Sequence, residues 1–241
     1  MKIIGVIPAR FGSTRFPGKP LEKLKGRCLI EWVIEGAQKS KLLSSLTVAT
    51  DDLRIAEVVN KAGIAVAMTP SDCATGSDRI YAATKNLIYD AVINIQGDEP
   101  LIDQTYIDPL AQAFIDSKGL DMATLAHPLD VSDIENKNAV KVITNAMGEA
   151  IYFSRFPIPY SREMFSPGDK TALKHIGLYG YTKSFLQKFC STAQTSLEKY
   201  ESLEQLRALY LGARIKVIEV EKPTYGVDTP EDLRKLEALL K

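Results

Sequence analysis

Short apolar runs alternate with amphipathic helical patterns along the first half of the chain. The run "KIIGVIP" is followed by "LIEWVIEGAQKS", in which apolar side chains recur at the helical period, and "SLTVATDD" is followed by "RIAEVVNKAG" in the same way. The runs "IAVAMT", "DAVINIQGDEP" and "MATLAHP" predict further strands. Repeated βα units predict an α/β fold with a mostly parallel sheet and helices on both faces. Ligands of such sheets bind beyond the carboxyl ends of the strands.

The second half of the sequence is less regular and predicts a lobe inserted before a final βα element. The runs "AVKVIT", "AIYFSR" and "HIGLYGY" predict strands around the turn-forming "FPIPYSREMFSPGDK". The stretch "LEKYESLEQLRALYLG" predicts one helix ended by Gly212, "RIKVIEV" a strand and "TPEDLRKLEALL" a helix. With no linker or repeat in between, we predict a single domain.

Composition narrows the classes of partner. The 241 residues are 45% hydrophobic and can bury a large core, while 30 basic and 30 acidic side chains cancel, so no overall field favours nucleic acid. The three cysteines, Cys28, Cys73 and Cys190, have no paired spacing, which fits a reducing cytoplasm. The apolar run before Pro8 is too short for a signal peptide, and no stretch has the length of a membrane span.

Cations gather directly after the first predicted strand. The stretch "GVIPARFGSTRFPGKPL" brings Arg10, Arg15 and Lys19 among glycines, where backbone N–H groups commonly cradle phosphates. The spacing fits neither a Walker loop, because Pro20 follows Lys19, nor G-x-G-x-x-G. From the residues alone, phosphate binding and an ordinary solvated loop are equally good interpretations.

Two acidic segments follow predicted strands. In "INIQGDEPLI", Asp98 either faces the ligand crevice and holds magnesium or helps to cap the next helix. In "YGVDTPEDL", Thr229 suits the N-cap and Pro230 the first helical position, which leaves Asp228 without a capping role. Two carboxylates together with triphosphate oxygens and water suit Mg²⁺.

The remaining polar residues divide between one candidate binding surface and packing. In "KHIGLYGY" the alternation of a strand places His175 and Tyr179 on one face, although a lone histidine is more often structural. Packing is the interpretation for His127, Trp32 and the three cysteines, and helix capping for Asp51 and Asp52.

Several segments, taken in order, resemble one known family. They are "IPARFGSTRFPGKPL", "TGSDR", "NIQGDEPLI", "YFSRFPIPY", "KHIGLYGY", "ESLEQLRALYLG" and "GVDTPEDL". Together they are similar to the 3-deoxy-manno-octulosonate (Kdo) cytidylyltransferases, over nearly the full chain. Phe11 stands where that family commonly has Tyr, and "TGS" where "SGT" is usual, which affects only fine nucleoside contacts.

The resemblance implies a Rossmann-like nucleotidyltransferase fold that is usually dimeric. It implies a cytoplasmic homodimer that couples CTP and Kdo into CMP-Kdo and pyrophosphate for lipopolysaccharide synthesis, with Mg²⁺ as cofactor and no nucleic-acid partner. Within the single domain 1–241, it implies a CTP-binding half, a lobe for Kdo binding and dimerisation, and a closing strand and helix with a metal ligand, at roughly 1–125, 126–212 and 213–241.

The resemblance also assigns roles residue by residue. Catalytic roles fall to Arg15, Lys19 and the two metal ligands, Asp98 and Asp228. Nucleotide contacts fall to Pro8, Ala9, Arg10, Arg15, Lys19, Ser77, Arg79 and Asp98. Kdo contacts fall to Gln96, Arg155, His175, Tyr179, Glu204 and Gln205. For Arg155 a surface cation, and for Glu204 and Gln205 a polar helix face, stay open as alternatives.

Three other functions compete with this one. A cytidylyltransferase for a sialic acid or an 8-amino Kdo analogue differs only in the sugar pocket. A regulatory nucleotide-binding module needs neither metal acids nor a sugar-facing strand. A glycosyltransferase needs an acid-x-acid motif, whose spacing "GDEP" lacks.

Overall fold

The chain divides into two compact units in the computed structural model, which describes residues 1–12, 16–162 and 171–240. The first unit comprises Met1–Ala111 and Thr224–Lys241, and the second comprises Gln112–Pro223. The chain thus leaves the first unit and returns to it, which makes the second unit an insertion. The functional division predicted from the sequence, at 125/126 and 212/213, stays a prediction. Arg15 lies outside the described residues.

The first unit is built on parallel strands. Its strands are β1 (Ile3–Ala9), β2 (Lys23–Leu24), β3 (Arg27–Cys28), β4 (Ser45–Thr50), β5 (Ala65–Met68) and β6 (Ala91–Asn94). The order β6-β1-β4-β5 is parallel throughout, while β2 and β3 form a separate antiparallel ribbon. Every residue of β6 is buried, as the nearly continuous apolar run in the sequence predicts.

The second unit is mixed. Its strands are β7 (Met122–Pro128), β8 (Lys141–Thr144), β9 (Ala150–Ser154), β10 (Leu173–Thr182) and β11 (Ile215–Glu219). Strand β7 pairs in parallel with β11 and antiparallel with β10, and β8 pairs antiparallel with both β9 and β10. The closing strand expected from the sequence is therefore part of this unit, although the helix that follows it belongs to the first.

Several helices of the structure begin at a side-chain cap. The helices are α1 (Leu29–Gln38), α2 (Leu53–Lys61), α3 (Gly76–Thr84), α4 (Gln104–Asp116), α5 (Lys183–Cys190), α6 (Ser196–Glu201), α7 (Gln205–Tyr210) and α8 (Pro230–Leu239). Thr229 caps α8 in a capping box with Asp232, as predicted. Asp52 caps α2 by accepting a hydrogen bond from Arg54 N at 2.9 Å. Asp51 was predicted to cap this helix as well, but it pairs instead with Arg79 at 3.0 Å.

The single helix predicted over 197–212 is wrong. Residues there form α6 and α7, and between them Ser202 adopts a left-handed conformation with φ 51°. The guanidinium of Arg155 donates to the backbone carbonyls of Glu201, at 2.8 Å, and of Ser202, at 3.3 Å. These contacts satisfy carbonyls that the end of α6 leaves without helical partners.

No helix within the described part of the chain is both long enough and apolar enough to cross a membrane. The cysteines, Cys28, Cys73 and Cys190, are free thiols.

Candidate active site

A cavity of about 290 Å³ lies beyond the carboxyl ends of β1 and β6 in the first unit. Two loops, the N-terminus of α3, Lys19 and a residue of the returning segment line it. The lining residues are Pro8, Ala9, Arg10, Lys19, Pro20, Cys73, Ala74, Thr75, Gly76, Arg79, Gln96, Gly97, Asp98 and Asp228. Its position agrees with the general rule for parallel α/β sheets. Of the predicted nucleotide contacts, Pro8, Ala9, Arg10, Lys19, Arg79 and Asp98 line this cavity. Ser77 is buried on α3 and does not line it, and Arg15 lies outside the described residues.

Lys19 joins the two predicted metal acids. Its Nζ lies 2.6 Å from Oδ2 of Asp98 and 3.2 Å from Oδ1 of Asp228, and the lysine side chain is only 14% exposed. Two hard carboxylates thus already share one cationic group, which is the donor chemistry that Mg²⁺ requires. No third acid, histidine or cysteine joins such a group among the described residues, so a metal here would need further oxygen ligands from substrate and water.

Close backbone approach brings the acids to the cavity. A Cβ on Gly97 would lie 2.9 Å from the carbonyl oxygen of Pro8, so only glycine lets the turn after β6 lie against the end of β1. On the other side, Val227 N donates to the carbonyl of Asp98 at 2.9 Å. The α8 cap fixes Asp228 locally, since Asp228 N donates to Oδ2 of Asp232 at 3.2 Å.

Glu99 is a residue of this region to which the sequence analysis gave no role of its own. Burial, together with the negative charge of Asp98, raises the pKa of its carboxyl to about 8. Oγ1 of Thr224 donates to Oε1 of Glu99 at 3.0 Å. The only signal in the sequence is that Glu99 follows Asp98 directly in "GDEP".

Arg79 is the buried cation of the cavity wall. It is 2% exposed, and its guanidinium donates to Oδ2 of Asp51 at 3.0 Å and to Oγ1 of Thr69 at 2.6 Å. Asp51 thus holds a residue predicted to bind nucleotide. Cys73, assigned to packing from the sequence, also lines the cavity. Burial raises the pKa of its thiol, which disfavours the nucleophilic thiolate.

In the second unit, β10 presents the predicted sugar contacts. The rings of His175 and Tyr179 lie 5.4 Å apart, and Tyr179 donates to Oε1 of Gln205 at 3.2 Å. Contrary to the regular alternation expected from the sequence, the register of β10 against β7 shifts between Ile176 and Tyr179. Both rings nevertheless belong to one cluster. Burial also raises the pKa of the Tyr179 hydroxyl, so it stays protonated and able to donate.

Hydrogen bonding assigns the tautomer of His175. Its Nε2 lies 2.9 Å from Oγ1 of Thr124, and that hydroxyl also lies 2.8 Å from the carbonyl oxygen of Leu178. A hydroxyl has one hydrogen, which the carbonyl must receive, so Nε2 carries the proton that Thr124 accepts. Burial lowers the pKa of His175 to about 3, which keeps the ring neutral and leaves Nδ1 as an acceptor.

Gln205 carries an unsatisfied donor. Its side chain is buried, and within the described part of the chain its Nε2 has no hydrogen-bond partner. A buried amide hydrogen without a partner is costly, so it marks a place where a ligand oxygen would be favourable.

The other predicted sugar contacts lie apart from this cluster or beside it. The guanidinium of Arg155 donates to backbone carbonyls, including that of Lys137 at 3.0 Å, rather than standing free as a surface cation. Glu204 is near enough for its negative charge to raise the pKa of Tyr179. Gln96 lines the cavity of the first unit. Their contacts with sugar stay predictions.

Comparison with known proteins places this geometry in a family. The family model described as cytidylyltransferase matches residues 4–215. A 3-deoxy-manno-octulosonate cytidylyltransferase of Bdellovibrio bacteriovorus is 58% identical, over 100% of this chain and 98% of its own length. The chain belongs to the 3-deoxy-manno-octulosonate cytidylyltransferase family. The member of this family from Trichlorobacter lovleyi is 44% identical, over 100% of this chain and 99% of its own length.

A solved structure extends the likeness to three dimensions. It is described as CMP:2-keto-3-deoxy-manno-octonic acid synthetase complexed with CTP. Its TM-score is 0.94 at 39% identity, covering 100% of this chain and 98% of that one. The fold is therefore the α/β nucleotidyltransferase fold expected from the sequence.

Proposed function

We propose that this chain transfers CMP from CTP to the anomeric hydroxyl of Kdo and releases pyrophosphate. The observation that carries the proposal is the Lys19–Asp98–Asp228 cluster in a cavity at the carboxyl ends of parallel strands. It is supported by the family membership and by the CTP named in the description of the solved relative. CMP-Kdo made in this way would serve lipopolysaccharide synthesis.

The chemistry is a substitution at the α-phosphorus of CTP. The anomeric oxygen of Kdo forms the new P–O bond and releases its proton to solvent. The bond to the pyrophosphate oxygen breaks in line, and pyrophosphate leaves with that electron pair. No protein nucleophile is required, so positioning and charge neutralisation carry the rate. Arg10 and Lys19 supply positive charge at the cavity, where the triphosphate and departing pyrophosphate concentrate negative charge. The same role for Arg15 rests on the sequence alone.

Asp98 and Asp228 are the residues that would hold Mg²⁺. The bound ion would supply charge neutralisation and polarisation of the phosphoryl group. The same two carboxylates bind the ammonium of Lys19, which also lines the cavity. Lys19 would therefore supply positive charge beside both the ion and the phosphates.

The sugar would be bound by the β10 cluster of the second unit. Neutral His175 offers Nδ1 as an acceptor for a hydroxyl, and Gln205 offers its unsatisfied amide as a donor. Tyr179 orients that amide by donating to its oxygen. A neutral His175 ring suits a hydroxyl group of the sugar. The sugar's carboxylate would instead favour the positively charged form of the ring.

The cellular setting and assembly form part of the same proposal. Three free thiols support a reducing cytoplasm. Exposed apolar side chains of the second unit support a homodimer: Met147, Ile151, Phe156, Tyr160, Tyr200 and Tyr210.

The test measures pyrophosphate release across a panel of nucleoside triphosphates and sugar acids. We expect turnover with CTP and Kdo that depends on Mg²⁺, and little with UTP or ATP. The acids should include 8-amino Kdo and a sialic acid, since these separate the neighbouring cytidylyltransferase activities. Equal turnover with ATP, or release without any acid, would contradict the proposal.

A further inference from the structure

Two hydrogen bonds join the turn after β6 to the segment that returns to the first unit. The backbone N of Val227 donates to the carbonyl of Asp98 at 2.9 Å, and Oγ1 of Thr224 donates to Oε1 of Glu99 at 3.0 Å. The second bond spans 125 residues of sequence. The returning segment is therefore held at two points, each beside one of the paired acids.

Glu99 is poorly placed to contact a ligand itself. It does not line the cavity, whereas its neighbour Asp98 does. A partly buried carboxyl needs hydrogen-bond donors, and the hydroxyl of Thr224 supplies one. Breaking this bond leaves a partly buried acceptor unsatisfied, so the contact constrains the segment more strongly than a bond between fully exposed groups.

The α8 cap does not replace this constraint. Thr229 and Asp232 fix the start of the helix, and Val227 and Leu236 pack in a cluster with Phe16, Leu24 and Leu29. These contacts set where α8 lies against α1 and its neighbours. The bonds made by Val227 and Thr224 tie the segment to the turn that carries Asp98.

We propose that Glu99 and Thr224 form a clasp that sets the distance between the carboxylates of Asp98 and Asp228. Thr224 is then a positioning residue of the divalent-cation site and touches neither cation nor substrate. The inference rests on the proposed function, because it takes the two carboxylates as the cation ligands.

The test is the dependence of CTP affinity on Mg²⁺, measured by calorimetry without Kdo so that no turnover occurs. The quantity is the ratio of the CTP dissociation constant in EDTA to that in saturating Mg²⁺. Thr224→Val keeps the shape and removes the hydroxyl, and we expect it to lower this ratio about three- to tenfold, the worth of one hydrogen bond. Affinity in EDTA should stay unchanged. Thr224→Ser, the matched control, keeps the hydroxyl and should keep the ratio.

Asp228→Asn separates the clasp from the cation site. It should lower the ratio strongly, and adding Thr224→Val to it should have no further effect, because the clasp acts only through Asp228.

If Asp228→Asn lowers the ratio and Thr224→Val does not, the clasp is wrong and the cation site stands. If Asp228→Asn leaves the ratio unchanged, the cation site itself is wrong and the clasp with it. If Thr224→Val weakens CTP binding equally with and without Mg²⁺, the residue has a general structural role and the inference fails. Thr224 is only half-buried, so both variants should fold, and melting curves check this.

Discussion

At the scale of single residues, the shared contact of Lys19 makes Asp98 and Asp228 a unit. Both carboxylates bind one ammonium, although the two acids lie 130 positions apart in the sequence. Charges arranged in this way are not independent, because removing either acid leaves the other without its partner in binding a cation.

We therefore expect Asp98→Asn and Asp228→Asn each to slow turnover about a hundredfold, for a loss of about 3 kcal/mol of transition-state stabilisation. Because a shared metal is lost only once, the double variant should be far more active than the product of the two effects implies. Steady-state rates at saturating Mg²⁺ measure this. Multiplicative losses would assign the acids to separate roles, and normal activity in both single variants would show that neither acid holds the metal.

His175 carries a pH dependence of stability. Its pKa is about 3 in the folded chain, against a usual value near 6.5, because the ring is buried. Its contribution to stability is therefore fully present above pH 6.5 and is lost as the pH falls from 6.5 towards 3.

The measurement is the free energy of unfolding of wild type and His175→Gln between pH 7 and 4. The amide of Gln can still donate to Thr124 but does not titrate, so the variant should lose less stability on acidification than wild type. His127 is the other of the two histidines, and burial also lowers its pKa. His127→Gln is the control and should flatten the curve less. Identical acid sensitivity of wild type and His175→Gln would contradict the assigned neutral ring.

At the scale of elements, helix α1 packs unusually closely at Gly36. A Cβ there would lie 1.8 Å from the carbonyl oxygen of Ile102, which is backbone and cannot rotate away. Helix propensity alone would make Gly36→Ala stabilising by about 1 kcal/mol. The clash outweighs this preference, and we expect a net destabilisation of about 3 kcal/mol.

Chemical denaturation of Gly36→Ala beside Gln38→Ala checks this prediction. Gln38 is exposed on the same helix, so its change should stay within about 0.5 kcal/mol of wild type. A Gly36→Ala variant as stable as wild type would show that the helix can move away from Ile102 at little cost.

Some helices and strands can be predicted from the local sequence and others cannot. The parallel strands are predictable because burial on both faces leaves apolar runs such as that of β6. The cap of α8 is predictable because Thr229, Pro230 and Asp232 lie within four consecutive residues. The break at Ser202 is not, because the partner of its carbonyl, Arg155, lies 47 residues earlier. The apolar period continues across the break and predicts an unbroken helix.

The candidate site divides in the same way. Lys19, Asp98 and Asp228 each follow from a local argument about a strand end or a spare acid, and the structure brings them together. The partnerships of Asp51 with Arg79 and of Thr224 with Glu99 join distant segments. No spacing along the chain indicates such pairs. The sequence therefore predicts a capping role for Asp51 and no role for Thr224.

At the scale of the whole molecule, the proposed homodimer makes a prediction about the exposed face of the second unit. Ile151 is 55% exposed and Phe156 69% exposed, and burying them against a second chain would remove apolar surface from water. We expect the double variant Ile151→Ser with Phe156→Ser to shift the mass measured by light scattering from two chains towards one. Ile88, 85% exposed in the first unit, offers the matched control. A variant that stays dimeric would move the interface elsewhere, and a monomeric wild type would contradict the homodimer.

The return of the chain to its first unit has a consequence for how the enzyme is made. Residues 1–111 emerge from the ribosome first, but Asp228 follows only after the whole inserted unit has been translated. At about 5–20 residues per second, roughly 6 to 23 seconds pass between the synthesis of Ala111 and that of Asp228, the second acid. During that interval the cavity lacks Asp228, one of the residues that line it. Catalytic competence is therefore acquired late in translation, and a ribosome that stalls within the insertion leaves a product without Asp228 and so without the proposed cation site.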